Sequence, residues 1–185
     1  MKRIDALRII DKEFDSKPLV ITCGATAREM ASVSKRSSHL PLLDSMGLTT
    51  PVGLGIALGS DEKVGVIDGD GSLLMGFSIL PTLRAYAPKN LLVIVLDNGQ
   101  HASADQMYSQ ANVVDIAGAA EGLGISVSRC DSEKELSTLL STGIRNEGFS
   151  MFFVKIEPGN TAGIPFYLAD PAQLGRNFAD YLSNI

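Results

Sequence analysis

Leu91-Leu92-Val93-Ile94-Val95-Leu96 is an unbroken apolar run with no alternation of polar residues. A strand with one wet face alternates, so a run of this kind must be covered on both faces. Val64-Gly65-Val66-Ile67, Leu19-Val20-Ile21-Thr22 and Met151 to Ile156 repeat the pattern. Between these runs the apolar spacing turns helical. Ile4, Leu7, Ile10 and Phe14 mark a first helix, and Ala27 to Ser34, Thr50 to Leu58 and Ser78 to Tyr86 read as further ones. Later come a helix from about Asp115 to Leu123, a strand Ile125 to Ser128 and a helix Ser132 to Leu140. A final helix has Asp170 as its cap and Pro171 at its first position. Helices that alternate with doubly buried strands supply right-handed crossovers. The expectation is an α/β doubly wound parallel sheet flanked by helices, built as one domain over residues 1–185.

Composition narrows the function classes. With 45% hydrophobic residues in 185, the chain can bury one sizeable core. A net charge of −5 argues against nucleic acid or an anionic membrane surface as partner, since both reward clustered Lys and Arg. The longest apolar runs fall well short of the roughly 20 residues that cross a bilayer. The start Met1-Lys2-Arg3-Ile4-Asp5 enters helical periodicity directly, so a cytoplasmic protein without a signal peptide is expected. Cys23 and Cys130, far apart, exclude a CxxC pair or a cysteine cluster on this chain.

Ligands of such sheets sit beyond the C-terminal ends of the strands. That directs attention to Gly24 to Thr26, Gly69 to Ser72 and Asp97 to Tyr108. In Gly69-Asp70-Gly71-Ser72 the glycines let the backbone turn sharply beside an anion, and Asp70 offers a hard oxygen of the kind magnesium takes. Alone, this is as readily a plain turn, and it is not the dinucleotide pattern GxGxxG. One strand later, Leu91 to Leu96 leads into Asp97-Asn98-Gly99-Gln100. Neighbouring strands would place Asp70 and the Asn98 amide oxygen on one rim. Asp97 to Val114 has few hydrophobic anchors and reads as a loop that orders around a ligand or partner.

The pair of motifs, with its spacer and its hydrophobic strand ending in Asn, resembles the signature of thiamine-diphosphate-dependent 2-oxoacid decarboxylases. The resemblance covers the diphosphate-binding domain and nothing of the pyrimidine-binding one. It implies that Asp70, Asn98 and the Gln100 carbonyl hold Mg²⁺, and that Gly69, Gly71 and Ser72 meet the diphosphate of thiamine diphosphate. Gly24, Ala25 and Thr26 look like the first phosphate-touching loop. Asp44-Ser45-Met46-Gly47 stands where a bulky side chain supports the bent cofactor, which makes Met46 the wedge unless it is simple core packing. Asp44 replaces the glycine usual at the position whose backbone carbonyl accepts from the aminopyrimidine.

Within that family Ser45-Met46-Gly47-Leu48 and Asn98-Gly99-Gln100-His101 are most similar to sulfopyruvate and phosphonopyruvate decarboxylases. Ser103-Ala104-Asp105-Gln106-Met107-Tyr108 departs from the glycine-rich segment of those relatives. The resemblance implies a small anionic 2-oxoacid as substrate. It also implies a separate pyrimidine-domain subunit that supplies the activating glutamate in a hetero-oligomer. His101 is either a proton shuttle, a binder of the substrate's anionic tail or an exposed loop histidine. His39 is a poorer candidate, and Arg28 and Lys35 read as helix-surface charges. The rival readings are an acetolactate-synthase-like carboligase, half of a 2-oxoacid:ferredoxin oxidoreductase, for which two cysteines are few, and a non-catalytic nucleotide- or diphosphate-binding module.

Overall fold

A computed structural model describes residues 1–102 and 104–185. Its strands are β1 (Leu19–Ile21), β2 (His39–Pro41), β3 (Val64–Gly69), β4 (Leu91–Asp97), β5 (Gln100–His101), β6 (Met107–Tyr108), β7 (Val127–Cys130) and β8 (Ser150–Lys155). The helices are α1 (Arg3–Phe14), α2 (Ala25–Val33), α3 (Thr49–Leu58), α4 (Asp70–Met75), α5 (Ile79–Tyr86), α6 (Ile116–Gly122), α7 (Glu133–Arg145) and α8 (Pro171–Leu182). Six strands form one sheet in the order β2-β1-β3-β4-β8-β7, with every pairing parallel. The expected doubly wound parallel sheet is the observed one.

Strand β4 shows why its sequence does not alternate. Leu92, Ile94 and Leu96 join one apolar cluster, with Leu7, Ile10 and Phe14 of α1, Met30 of α2 and Leu136 and Leu140 of α7. Leu91, Val93 and Val95 join the other, with Leu54 of α3, Leu80 and Leu83 of α5 and Ala120 of α6. Each such buried side chain contributes on the order of 1.5–3 kcal/mol relative to exposure, so both helical layers hold to the same strand.

The strand order reverses at β1. From β1 the chain moves to β2 on one side and then crosses to β3 on the other, which opens a crevice at the C-terminal ends of β1 and β3. The loops that follow these two strands carry Gly24-Ala25-Thr26 and Gly69-Asp70.

Besides α7, which runs five residues past the expected Leu140 to Arg145, the structure differs from expectation in four places. Two helices, α4 and α5, stand where only Ser78 to Tyr86 was read as helical, because Gly71 and Gly76 mask α4 in a propensity reading. Strand β2 was unforeseen: it has three residues, lies at the sheet edge and ends in Pro41, which an edge tolerates. Strand β7 runs Val127–Cys130, two residues beyond the expected start, since Ile125 is buried in the connection from α6. The stretch after β4 is not an unstructured loop: β5 and β6 pair antiparallel, and Gln110–Asn112 makes a 3-10 turn. Asp170 caps α8 as expected, its side chain accepting from the Ala172 N–H, with Pro171 in the first turn. Among the described residues no helix is long and apolar enough to cross a membrane.

Candidate functional site

The end of β3 carries two buried carboxyl groups with different partners. Asp68, which escaped notice in the sequence, is wholly buried. Its Oδ2 accepts from the Thr50 hydroxyl at 2.7 Å and its Oδ1 from the Gly69 N–H at 2.9 Å. Burial pushes its pKa up, opposed by hydrogen bonds from Ser72 and Thr50. Asp68 therefore ties α3 to the turn into α4 and does not face the crevice. The available signal was an aspartate closing the apolar run Val64 to Ile67.

Asp70 begins α4 and is 2% exposed. Its Oδ2 accepts from the hydroxyl of Ser109, a residue that carried no sequence signal. Burial raises the Asp70 pKa; the Ser109 and Asn98 N–H hydrogen bonds oppose that shift, and the charge of Asp97 adds to it. Asp70 and the Asn98 backbone thus meet at the ends of β3 and β4, which pair residue for residue up to Gly69 and Leu96.

The loop after β4 is knotted by its own polar groups. Gly99 N–H donates to Asp97 Oδ1 at 2.9 Å and Gln100 N–H to Asn98 Oδ1 at 3.0 Å. The Asn112 amide reaches the Gly99 carbonyl at 2.7 Å, and Ser109 N–H donates to the same oxygen at 2.9 Å. Gly99 holds φ +67° with Asn112 packed against it, so a side chain there would be strained. His101 is half-buried, and a Cβ at position 71 would overlap its ring. The structure therefore brings Gly71 and His101 together, so His101 is not merely an exposed loop histidine. Ser103, the first residue of the divergent segment, lies outside the described residues.

The Asp44–Gly47 loop rests on the other side of α4. Gly47 N–H donates to the Ser72 hydroxyl at 3.1 Å, and a Cβ on Gly76 would strike the Gly47 carbonyl. Ser72 is thus spent on bracing Met46-Gly47 and Asp68 through its hydroxyl, which leaves its backbone N–H in the first turn of α4 as its means of meeting an anion. Asp44 adopts φ +54°, the left-handed region that favours the glycine usual there. Met46 is 38% exposed and absent from both apolar clusters, so it is not core packing. Ser45 is half-buried, its hydroxyl donating to the Leu43 carbonyl at 3.0 Å.

Gly24 caps α2 with φ +73° and no side-chain cap, and Ala25 and Thr26 form its first turn. These residues, with Asp44 and Ala102, line a cavity of ≈ 550 Å³ closed on its far side by Phe166 to Ala169. Arg28 also lines it, which corrects the surface-charge expectation. A larger cavity of ≈ 710 Å³ lies toward β7 and β8 and contains none of the expected site residues. His39 is buried on β2 beside Asp11 and Arg36, away from this crevice.

The donor set suits magnesium. Asp70, Asn98 and the Gln100 carbonyl are hard oxygens on adjoining strand ends, and the buried Gln100 Oε1 has no hydrogen-bond partner. Asp70 Oδ2 and Asn98 Oδ1 each carry one hydrogen bond and keep further lone pairs. Among the described residues no cluster of three or more His, Cys, Asp or Glu could hold a metal.

Comparison with known proteins supplies an independent view. The model of the thiamine pyrophosphate enzyme family, C-terminal TPP binding domain, matches residues 22–154. A phosphonopyruvate decarboxylase of Streptomyces viridochromogenes is 34% identical over 98% of this chain and 46% of its own length. The sulfopyruvate decarboxylase subunit beta of Methanothermobacter thermautotrophicus is 31% identical over 96% of this chain and 94% of its own. The chain thus spans under half the length of the phosphonopyruvate decarboxylases it matches. In fold it is similar to a thiamine diphosphate-dependent 4-hydroxybenzoylformate decarboxylase of Rhodococcus jostii, with TM-score 0.71, 17% identity and coverage of 87% and 33% of the two chains. It is also similar to a 2-oxoglutarate:ferredoxin oxidoreductase of Magnetococcus marinus, with TM-score 0.71, 16% identity and coverage of 86% and 64%.

Proposed function

This chain belongs to the thiamine pyrophosphate enzymes, carrying their C-terminal TPP binding domain, and we propose that it is the diphosphate-binding subunit of a 2-oxoacid decarboxylase acting on 3-sulfopyruvate to give sulfoacetaldehyde and carbon dioxide. The observation that carries this reading is the meeting of Asp70 with Asn98, and of Gly71 with His101, beside the β1–β3 crevice. The whole chain, 1–185, serves as one cofactor-binding domain. Asp70, Asn98 and the Gln100 carbonyl would hold Mg²⁺, and Gly24, Ala25 and Thr26 with Gly69, Gly71 and Ser72 would meet the diphosphate.

Thiamine diphosphate, when bound, supplies a nucleophilic carbon and an electron sink for loss of carbon dioxide. The protein's work is positioning. Met46, projecting from a loop braced on α4, would support the bound cofactor, and the Asp44 carbonyl would accept from its aminopyrimidine. Asp70, 2% exposed, would offset part of the metal's charge at a buried position, where such a contact is worth more than in water. His101, whose imidazole can both accept and donate a proton, moves a proton beside Gly71. The activating glutamate comes from a pyrimidine-domain partner subunit, in keeping with the subunit naming of the relatives of matching length.

The test is carbon dioxide release by the assembled enzyme. A site arranged around a second anion should turn over 3-sulfopyruvate far faster than pyruvate, because the methyl analogue leaves that pairing unmade. Equal rates would refute the assignment. Phosphonopyruvate is the second reading, favoured by the 34% identity to phosphonopyruvate decarboxylase, and belongs in the same assay. Acetolactate formed from pyruvate would indicate a carboligase.

A further inference from the structure

The cavity of ≈ 550 Å³ between α2 and the segment Phe166 to Ala169 has, among the described residues, one cationic side chain in its wall, Arg28. Three surroundings distinguish this arginine from a surface charge. Its Nε is shielded from solvent and has no hydrogen-bond partner among the described residues, whereas a buried donor is ordinarily paired. The carboxylate next to it in sequence, Glu29, is wholly buried and turned to other partners, its Oε1 accepting from Arg3 at 2.9 Å and from the Thr161 N–H at 3.0 Å while its Oε2 has no partner among the described residues. The Phe166 ring lies 5.8 Å from Arg28 Cζ while remaining 84% exposed. An aromatic ring over the face of a guanidinium leaves its in-plane N–H donors to reach an acceptor, the geometry that suits carboxylates, sulfonates and phosphonates.

The cavity is joined to the reaction site. Gly24, Ala25 and Asp44 line it and also belong to the expected cofactor contacts. Ala102, the residue after His101, lines it as well, and its carbonyl accepts from the Asn160 amide at 3.2 Å. Asn160 in turn accepts from Arg3 at 3.1 Å. The Arg3–Glu29 pair thus pins the 160–161 segment both to α2 and to the loop that carries His101. The uncapped start of α2 adds positive potential from unpaired N–H groups. Asp44 is the one carboxylate in the lining, and no ion pair within 4.0 Å joins it to Arg28 among the described residues.

We infer that Arg28 is the specificity-determining residue of this enzyme, receiving the second anionic group of the 2-oxoacid, the sulfonate of 3-sulfopyruvate, in the cavity between α2 and Phe166. The inference rests on the decarboxylase reading above.

Two measurements separate its fate from that reading. In the assembled enzyme with thiamine diphosphate and Mg²⁺, Arg28→Gln should lower kcat/KM for 3-sulfopyruvate on the order of 10- to 100-fold, mainly through KM. That is the loss of one charge-assisted hydrogen bond. The loss on pyruvate should be no more than roughly threefold, with Arg28→Lys recovering part of the deficit because it keeps the charge. Equal losses on both substrates, or a matching loss of cofactor affinity by calorimetry, would overturn the inference by assigning Arg28 to the cofactor or to folding. The second measurement follows the Arg28 Nε–H signal of wild-type enzyme by NMR as sulfoacetate is added. A saturable shift supports an anion site at Arg28 even if the enzyme shows no preference for 3-sulfopyruvate. An unmoved signal overturns it whatever the substrate proves to be.

Discussion

The Ser109 hydroxyl donates to the Asp70 carboxylate, joining the loop after β4 to the first residue of α4. This bond satisfies part of a buried carboxylate that otherwise keeps only the Asn98 N–H among its neighbours across the sheet, so Ser109→Ala should destabilise the cofactor-free chain by about 1–2 kcal/mol. Magnesium and thiamine diphosphate, binding only the folded state, should recover part of that loss by mass action. Urea midpoints with and without both ligands measure the effect. A midpoint identical to wild type in the absence of ligands would show that the bond contributes nothing.

Asp70 itself is best tested by Asp70→Asn, because an amide oxygen can still accept from Ser109 while the charge is lost. Magnesium-dependent binding of thiamine diphosphate should weaken at least roughly tenfold, the equivalent of about 1.4 kcal/mol, while thermal stability stays near wild type. Asn98→Ala should weaken the same binding. Unchanged affinity in both variants by calorimetry would remove them from the metal site.

Met46 stands on a braced loop and is exposed, so its proposed work is steric. Met46→Ala should lower kcat more than cofactor affinity, since the diphosphate contacts remain while the bent conformation loses its support. Normal turnover in the variant would leave Met46 without a catalytic part. Truncating an exposed side chain should also change stability by under about 0.5 kcal/mol, so a large drop in the melting temperature would contradict the assignment.

The outer half of the molecule makes a separate prediction about acid. His39 is buried beside Asp11 and Arg36, and burial, aided by the Arg36 charge and opposed by Asp11, lowers its pKa from 6.5 to about 4. The folded state then binds fewer protons than the unfolded chain between these values. His39's contribution to stability is therefore complete above 6.5 and is lost as pH falls toward about 4. Asp11, whose carboxyl is held below the ordinary range by Arg36 and Ser34 despite its burial, loses its contribution at lower pH still. Melting temperatures between pH 7.5 and 4.5 should fall more steeply for wild type than for His39→Asn. Parallel curves would mean that His39 titrates alike in both states.

The sheet was legible because its strands had to be. Leu91 to Leu96 feed both apolar clusters, and only a doubly covered parallel strand tolerates such a run. The residues Asp70 and Asn98 were legible because each stands just past the end of such a run, after Asp68-Gly69 and after Asp97. What remained hidden depends on tertiary contact. Ser109 is one serine in a polar loop until the β5–β6 hairpin brings it to Asp70. Asp68 lies beside the motif yet turns inward to Thr50. Arg28 has the spacing of a helix-surface charge, and only the fold of the C-terminal segment places Phe166 over it. Strand β2, with three residues and a proline, has too little pattern to register at all.

The division of labour between subunits is the central claim, and an assay of thiamine-diphosphate-dependent carbon dioxide release from 3-sulfopyruvate tests it most directly. The measurement compares the purified chain alone with the same chain after a pyrimidine-domain subunit is added. The exposed Met46, Leu48 and Met75 flank the Gly47–Gly76 contact and present apolar surface beside the crevice, as a face completed by association would. The account predicts negligible turnover by the lone chain and full turnover on reconstitution. Full turnover by the lone chain would place the activating group within these 185 residues and contradict it.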